Sequence, residues 1–239
     1  MKYLGKTKLC LGLQIEHLAN EIFIHQSAYI EKVLKRFYMD GAHPLSTLMV
    51  VQSLDVNKDP FRPQEKNEEL FGLEVPYLSA IAALMYLANT TRPDKTFSIN
   101  VLARYNFVPT KRYWNGIKHI LRYLKGTTDI GLFYGNNCSH DLVGYAAAGY
   151  LSDPHKARSK TSYVFTCGST AISWRSTKQS IMATSSNHAE IITIHEASRE
   201  FKVHVQTFGR KKSSFEKKQK EIASIQKYFF EKYFWEKYT

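Results

Sequence analysis

The sequence has no apolar run of eighteen residues, so it offers no membrane-spanning helix. It has three cysteines, Cys10, Cys138 and Cys167, scattered and odd in number. That excludes a disulfide framework and a cysteine-based metal knuckle, and points to a reducing, intracellular setting. The N-terminal MKYLGKTKLC is charged but has no apolar core, so a secretory leader is not expected. No G-x-S-x-G elbow, glycine-rich phosphate loop or zinc-type Cys/His spacing occurs. The nine histidines stand alone or beside aliphatic residues, without a triad context. Nucleophilic hydrolysis, nucleotide cradling and structural zinc are therefore unsupported, and no small-molecule substrate suggests itself.

Basic charge is present in excess. The net formal charge of the 239 residues is +12, and residues 201–239 hold ten Lys or Arg against four Glu. The body is mildly basic and the tail strongly so, a balance that suits a polyanionic partner such as nucleic acid.

Patterning divides the chain into stretches of different kind. Residues 9–16, LCLGLQIE, alternate as a half-buried strand, and EIFIH resumes as a second strand after a turn at 17–20. Ser27 is placed to cap a helix through AYIEKVLKRFYM, with Tyr29, Ile30, Val33, Leu34 and Phe37 on one face. Residues 41–70, with three prolines and mixed charge, read as an extended loop. PYLSAIAALMYLANT is apolar nearly all round and predicts a buried helix. Asp94 is placed to cap a further helix reaching Tyr105.

Thr110 begins another helix, KRYWNGIKHILRYLK, which Gly126 stops. Trp114, Ile117, Ile120, Leu121 and Leu124 form its apolar stripe; Lys111, Arg112, Lys118, Arg122 and Lys125 form a basic face and are the candidate nucleic-acid contacts. LVGYAA, SYVFTCG and TAISWRS then predict three antiparallel strands, and SSNHAEIITIHEASRE a helix capped by Ser185 or Ser186. Residues 216–238 have helical spacing without a clear polar face. The fold class is α+β.

Carboxylates are the remaining catalytic option. Metal-dependent nucleases set acidic ligands on a strand and a following helix, and two divalent ions about 4 Å apart need several of them. Glu190 lies in the first turns of the last predicted helix, where it could face the sheet or merely complement the helix dipole.

The segments LGLQIEH, YLSAIAALMYLANTTRPD, GIKHILRYLKGTTDIGLFY, SDPHKARSKTSYVF, AISWRSTKQS and SSNHAEI strongly resemble the Pol polyprotein of copia-type LTR retrotransposons. The likeness covers roughly residues 4–200. It implies that residues 1–135 are the C-terminal part of a reverse transcriptase, with a hairpin and thumb or connection helices. Residues 136–200 are then a truncated ribonuclease H-like domain, a mixed sheet of three strands with one helix, and 201–239 a divergent basic tail. The family polymerase uses a paired-aspartate motif that would lie upstream of this sequence. Mg²⁺ is the family cofactor, and an RNA–DNA hybrid its substrate.

The same resemblance exposes departures. The family pattern Gly-Tyr-x-Asp-Ala ends the first ribonuclease H strand, and here Gly144, Tyr145 and Ala148 match while Ala147 stands at the metal-binding aspartate. Glu190 matches the second ligand, the third lies beyond the region of likeness, and Ser162 replaces a usual glycine. Asp141 and Asp153 are six residues from position 147, roughly 20 Å along an extended strand; turns could shorten that only for Asp153, where the resemblance implies an acidic residue in addition to the lost one, so neither is expected to substitute. One carboxylate cannot hold two ions, so the expectation is a catalytically inactive remnant that binds no Mg²⁺. A non-catalytic hybrid-binding role and a residual Mg²⁺-dependent ribonuclease are the alternatives. The shortened sheet is expected to leave an open edge.

Overall fold

The computed structural model describes residues 6–49, 59–63, 65, 68–70, 72, 75–107, 109–135, 142–168 and 170–208. By contacts the chain divides into Met1–Ile194 and His195–Thr239. Within the second unit the described residues continue the last helix, and His204 stands 3.6 Å from Glu200 one turn away.

The first unit opens with a hairpin where one strand was expected. Strand β1, Leu9–Cys10, turns through Leu11 and Gly12 into β2, Leu13–His17. Both turn residues have positive φ, 48° and 80°, the backbone of a two-residue type I′ turn. Gly12 supplies that conformation without strain, and the pattern LCLGLQ conceals a reversal. Strand β3, Glu21–His25, and β4, Leu132–Gly135, complete an antiparallel sheet in the order β1-β2-β3-β4.

Helix α1, Ser27–Arg36, buries Ile30, Val33 and Leu34, as its spacing required. Ser27 does not cap it. Its hydroxyl donates to the Thr128 carbonyl at 2.8 Å, and the side chain of Gln14 accepts from the Ala28 amide instead. Helix α2, Tyr77–Thr90, is buried through Tyr77, Ala80, Ile81, Leu84 and Leu87, although Leu78 remains exposed. Asp94 caps nothing either. Pro93–Lys95 make a 3₁₀ turn before α3, Thr96–Leu102, which ends in a second 3₁₀ turn, Ala103–Tyr105.

Asp94 is taken by its neighbours. The fully buried Arg92 grips both its carboxylate oxygens at 3.1 and 2.9 Å, and Lys95 reaches it at 3.0 Å. The Arg92 guanidinium also donates to the carbonyl and hydroxyl of Thr127, at 2.7 and 2.9 Å. Thus the Thr-Arg-Pro-Asp segment fastens the end of α2 to the end of helix α4, Lys111–Lys125. A buried guanidinium holds only because its donors are satisfied in this way.

On α4 the inward residues are Tyr113, Ile117, Ile120, Leu121 and Leu124, with Trp114 only partly covered. They pack with α1, α2 and α3 into one core, each buried aliphatic contributing about 1.5–3 kcal/mol.

The remaining strands are longer than their apolar runs. Strand β5, Leu142–Asp153, passes through the whole alanine segment; β6 covers Arg158–Cys167 and β7 Thr170–Lys178. Their order is β5-β6-β7, and every pairing is antiparallel, so the mixed sheet expected here is corrected. Consecutive strands joined by tight turns have no crossover and cannot pair in parallel. Helix α5, Ser186–Phe208, extends past Glu200, where the family likeness ends. The proposed tail helix and Asp141 lie outside the described residues.

Candidate functional site

Two of the positions singled out by the sequence, Ala147 and Glu190, meet at the β5 edge. Ser185 caps α5, its hydroxyl accepting from the His188 amide at 3.1 Å. The helix is then fixed to β6 by a buried polar network. The Gln179 amide donates to the Ala189 carbonyl at 2.9 Å, to Thr193 at 3.1 Å and to Thr161 at 3.3 Å. Thr161 and Thr193 hydroxyls are themselves 3.2 Å apart. Nothing in the sequence marked Gln179 except its polarity at the end of an alternating strand.

This attachment brings Glu190 to the strand. Its Oε2 accepts the backbone N–H of Ala148 at 3.1 Å. Glu190 therefore stands immediately beside Ala147, and the two positions related to metal ligands by the resemblance are adjacent in space. One oxygen of Glu190 is thereby engaged by a backbone amide.

Ala147 itself lies opposite Ser162, which lies opposite Ser176. The two serine hydroxyls are 3.0 Å apart. Residues paired in this way share one face of a sheet, and here that face looks onto α3. Phe97, Tyr145, Ala147, Ser162, Trp174 and Ser176 line an open cleft of about 410 Å³ there. The indole N–H of Trp174 closes one side by donating to the Ala88 carbonyl at 2.6 Å. Thr161, in contrast, turns to the face covered by α5. Ala147 thus projects into an aromatic and hydroxyl-lined cleft that has no carboxylate in its lining.

Asp153 is the next carboxylate along β5. It is 8% exposed, 3.0 Å from Arg104 and 3.8 Å from Lys178. Directly across from Lys178 is Lys160, only 2% exposed, whose Nζ has no hydrogen-bond partner among the described residues. The ammonium sits 3.4 Å from the centre of the Phe97 ring. Burial pushes Lys160 down to about 7; Arg104 adds to the effect and Asp153 opposes it. Arg104 and Lys178 thus both engage the Asp153 carboxylate.

A two-ion magnesium site needs several hard oxygen ligands converging on one point. Among the described residues no group of three or more His, Cys, Asp or Glu is arranged to hold a metal ion. At the β5 edge the donor set is one glutamate, already hydrogen-bonded, beside a methyl group. These residues do not fit the family ion pair.

The basic helix face is only partly available. Arg112 clasps Glu68 at 2.7 and 2.9 Å and lies 4.9 Å from the Tyr113 ring. Burial alone would raise the Glu68 carboxyl, but hydrogen bonds and charge from Arg112 hold it below the usual carboxylate range. Arg122 donates to the His43 carbonyl at 2.8 Å, and Lys125 to the Asp40 carbonyl. Lys111 and Lys118 stay exposed. The preceding loop folds back over α4 and occupies three of the five candidate cations.

Comparison with known proteins finds several relatives, among them retrovirus-related Pol polyproteins of plant transposons. A retrovirus-related Pol polyprotein from transposon TNT 1-94 of Nicotiana tabacum is 37% identical over 84% of this chain. One from transposon RE2 of Arabidopsis thaliana is 30% identical over 80%. The chain spans 15% and 12% of those polyproteins. Secreted RxLR effector protein 161 of Plasmopara viticola is 39% identical over 53% of the chain and 89% of its own length. No protein-family model matches the sequence, and no solved structure matches it.

Proposed function

The chain belongs to the retrovirus-related Pol family of copia-type transposons, and from that membership we propose that it covers the junction of reverse transcriptase and ribonuclease H and does not cleave nucleic acid. Residues up to 135 are then the thumb or connection part of the polymerase, and β5–β7 with α5 the first part of the nuclease. The observation that carries this reading is the Glu190–Ala148 hydrogen bond beside Ala147.

In-line hydrolysis of a phosphodiester requires an attacking oxygen and a leaving oxygen stabilised together. Glu190 is a single carboxylate with Oε2 accepting the Ala148 N–H, and one carboxylate does not supply the several ligands that two ions need. Asp153 is neutralised by Arg104 and Lys178, and drawing it into a metal site would strand both cations. Position 147 offers no donor atom. The described residues can position a strand end but do not bring two ions to a scissile phosphate. An assay of Mg²⁺-dependent cleavage of an RNA–DNA hybrid by the full chain tests this; cleavage abolished by Glu190→Gln would overturn it.

A second reading, hybrid binding without catalysis, is supported by the exposure of Lys111 and Lys118 on α4. With Arg112, Arg122 and Lys125 held by intramolecular acceptors, such binding is weak and depends on few phosphates.

A further inference from the structure

The edge of β5 is the part of the molecule whose chemistry the proposed function leaves unused. Among the described residues β5 pairs on one side only, with β6. Its other side carries backbone donors and acceptors, and an uncovered edge is a template for another strand.

Which groups face outward follows from one hydrogen bond. The Ala148 N–H leaves β6 to meet Glu190, so it points away from the sheet. Along a strand the N–H and C=O groups of successive residues point to alternate sides. Leu142, Gly144 and Ala146 therefore present their N–H and C=O outward as well. Between Leu142 and Ser152 no side chain is charged, in a chain whose net charge is +12. Natural edges are guarded by charged side chains, and among the described residues this one is guarded by Glu190 at its Ala148 end.

We propose that the β5 edge is an interaction surface for a second copy of this chain, joined antiparallel across a two-fold axis at Gly144. The partner is chosen by the fit of β5 to itself. With Gly144 opposite its own copy, Leu142 lies opposite Ala146, and each such pair exchanges two backbone hydrogen bonds. Val143 then lies opposite Tyr145 of the second copy. These two side chains are 42% and 60% exposed and share one face, and β-branched residues facing aromatics are among the favoured cross-strand pairs. The relation is isologous, as a two-fold contact must be. No residue beyond Ala146 is needed, so the Glu190 cap on Ala148 stays in place.

Side-chain size agrees with this register. Gly144 cannot carry a side chain, since a Cβ there would lie 2.6 Å from the Phe165 ring that covers it. The axis thus falls where two backbones approach most freely. A polyanion gains nothing from the uncharged edge. Exposed Tyr150, Ile181 and Met182 extend the apolar character beyond it, with the Tyr150 hydroxyl 3.5 Å from the Thr184 carbonyl in the same loop as Ile181 and Met182. A contact of one short strand falls in the weak, concentration-dependent class.

Sedimentation equilibrium of the full chain from about 1 to 100 µM is the test. The expected result is a monomer–dimer equilibrium that the double variant Val143→Lys/Tyr145→Lys shifts to monomer, with unchanged circular dichroism. A second variant, Val143→Cys/Tyr145→Cys, covers failure of the first to fold. Residues 143 and 145 of opposing strands would form a non-hydrogen-bonded pair with Cα atoms about 4.5 Å apart, within disulfide reach. Mild oxidation should yield a dimer whose cross-linked peptides join position 143 to position 145. A monomer throughout the range overturns the proposal, including one whose Ala146 amide is protected from exchange by another part of the same chain. So does a dimer that survives the lysine variant, or a cross-link joining only equivalent positions.

Discussion

Glu190 and Ala148 are joined by a hydrogen bond of 3.1 Å from backbone amide to carboxylate, at the outer edge of β5. The residue that resembles a metal ligand is thereby an edge cap. Its removal is expected to affect one amide locally. Glu190→Ala should speed hydrogen exchange at Ala148 by several-fold and lower global stability by no more than about 1 kcal/mol, since the bond is solvent-exposed. Exchange measured by NMR and urea unfolding read the two effects. Unaltered exchange at Ala148 would show that the bond does not persist in solution.

Lys160 makes stability depend on pH in a definite direction. Its folded value, about 7, lies below the ordinary lysine range, so between pH 7 and about 10.5 the unfolded chain binds the extra proton. Stability therefore rises with pH across that window, by at most about 1.4 kcal/mol per unit from this residue, and the cost is fully present below pH 7. Lys95 is likewise pushed to about 7, by burial and by Arg92 with Asp94 opposing, and adds a slope of the same sign. Lys160→Met should be more stable than the parent at pH 6 and show a shallower rise to pH 10. Chemical denaturation at several pH values decides this, and parallel curves would contradict it.

Affinity for an RNA–DNA hybrid should follow the exposed Lys111 and Lys118 rather than all five cations of α4. Counterion release gives a slope of log affinity against log salt near −0.9 per phosphate neutralised on a B-form duplex, hence roughly −2 here. Lys111→Ala/Lys118→Ala should remove most of that slope, whereas Arg122→Ala should leave it unchanged because its guanidinium serves the His43 carbonyl. A slope near −5, made shallower by about one unit by Arg122→Ala, would show the loop released from the helix on binding.

Helices α1, α2 and α4 and strands β5 to β7 were legible because apolar spacing is a local property. The amphipathic stripe of α4 follows from 3.6-residue periodicity alone, and Gly126 stops it at the expected residue. What the basic face touches was not legible, since the Asp40 and His43 carbonyls come from a loop some eighty residues earlier. The turn at Leu11–Gly12 escaped notice because Leu9, Leu11 and Leu13 keep the alternation of a strand through it, and the positive φ of Leu11 and Gly12 makes the reversal. Asp94 reads as a helix cap until Arg92 and Lys95, its immediate neighbours, are seen folded onto it. Alanines 146 to 148 looked like the end of a strand. They lie within one because β6 pairs with them residue by residue up to Gly149. Lys160 carried no signal, because alternation predicts which face a residue takes but not whether a helix covers that face.

The most direct measurement is hydrolysis of an RNA–DNA hybrid in Mg²⁺ by the full chain, its Ala147→Asp variant and its Glu190→Gln variant. Position 147 opens onto the α3-side cleft and Asp153 is held by two cations, so restoring one aspartate completes no ion pair. The account predicts no cleavage above buffer for any of the three. Robust cleavage by the parent chain, lost in Glu190→Gln, would contradict it.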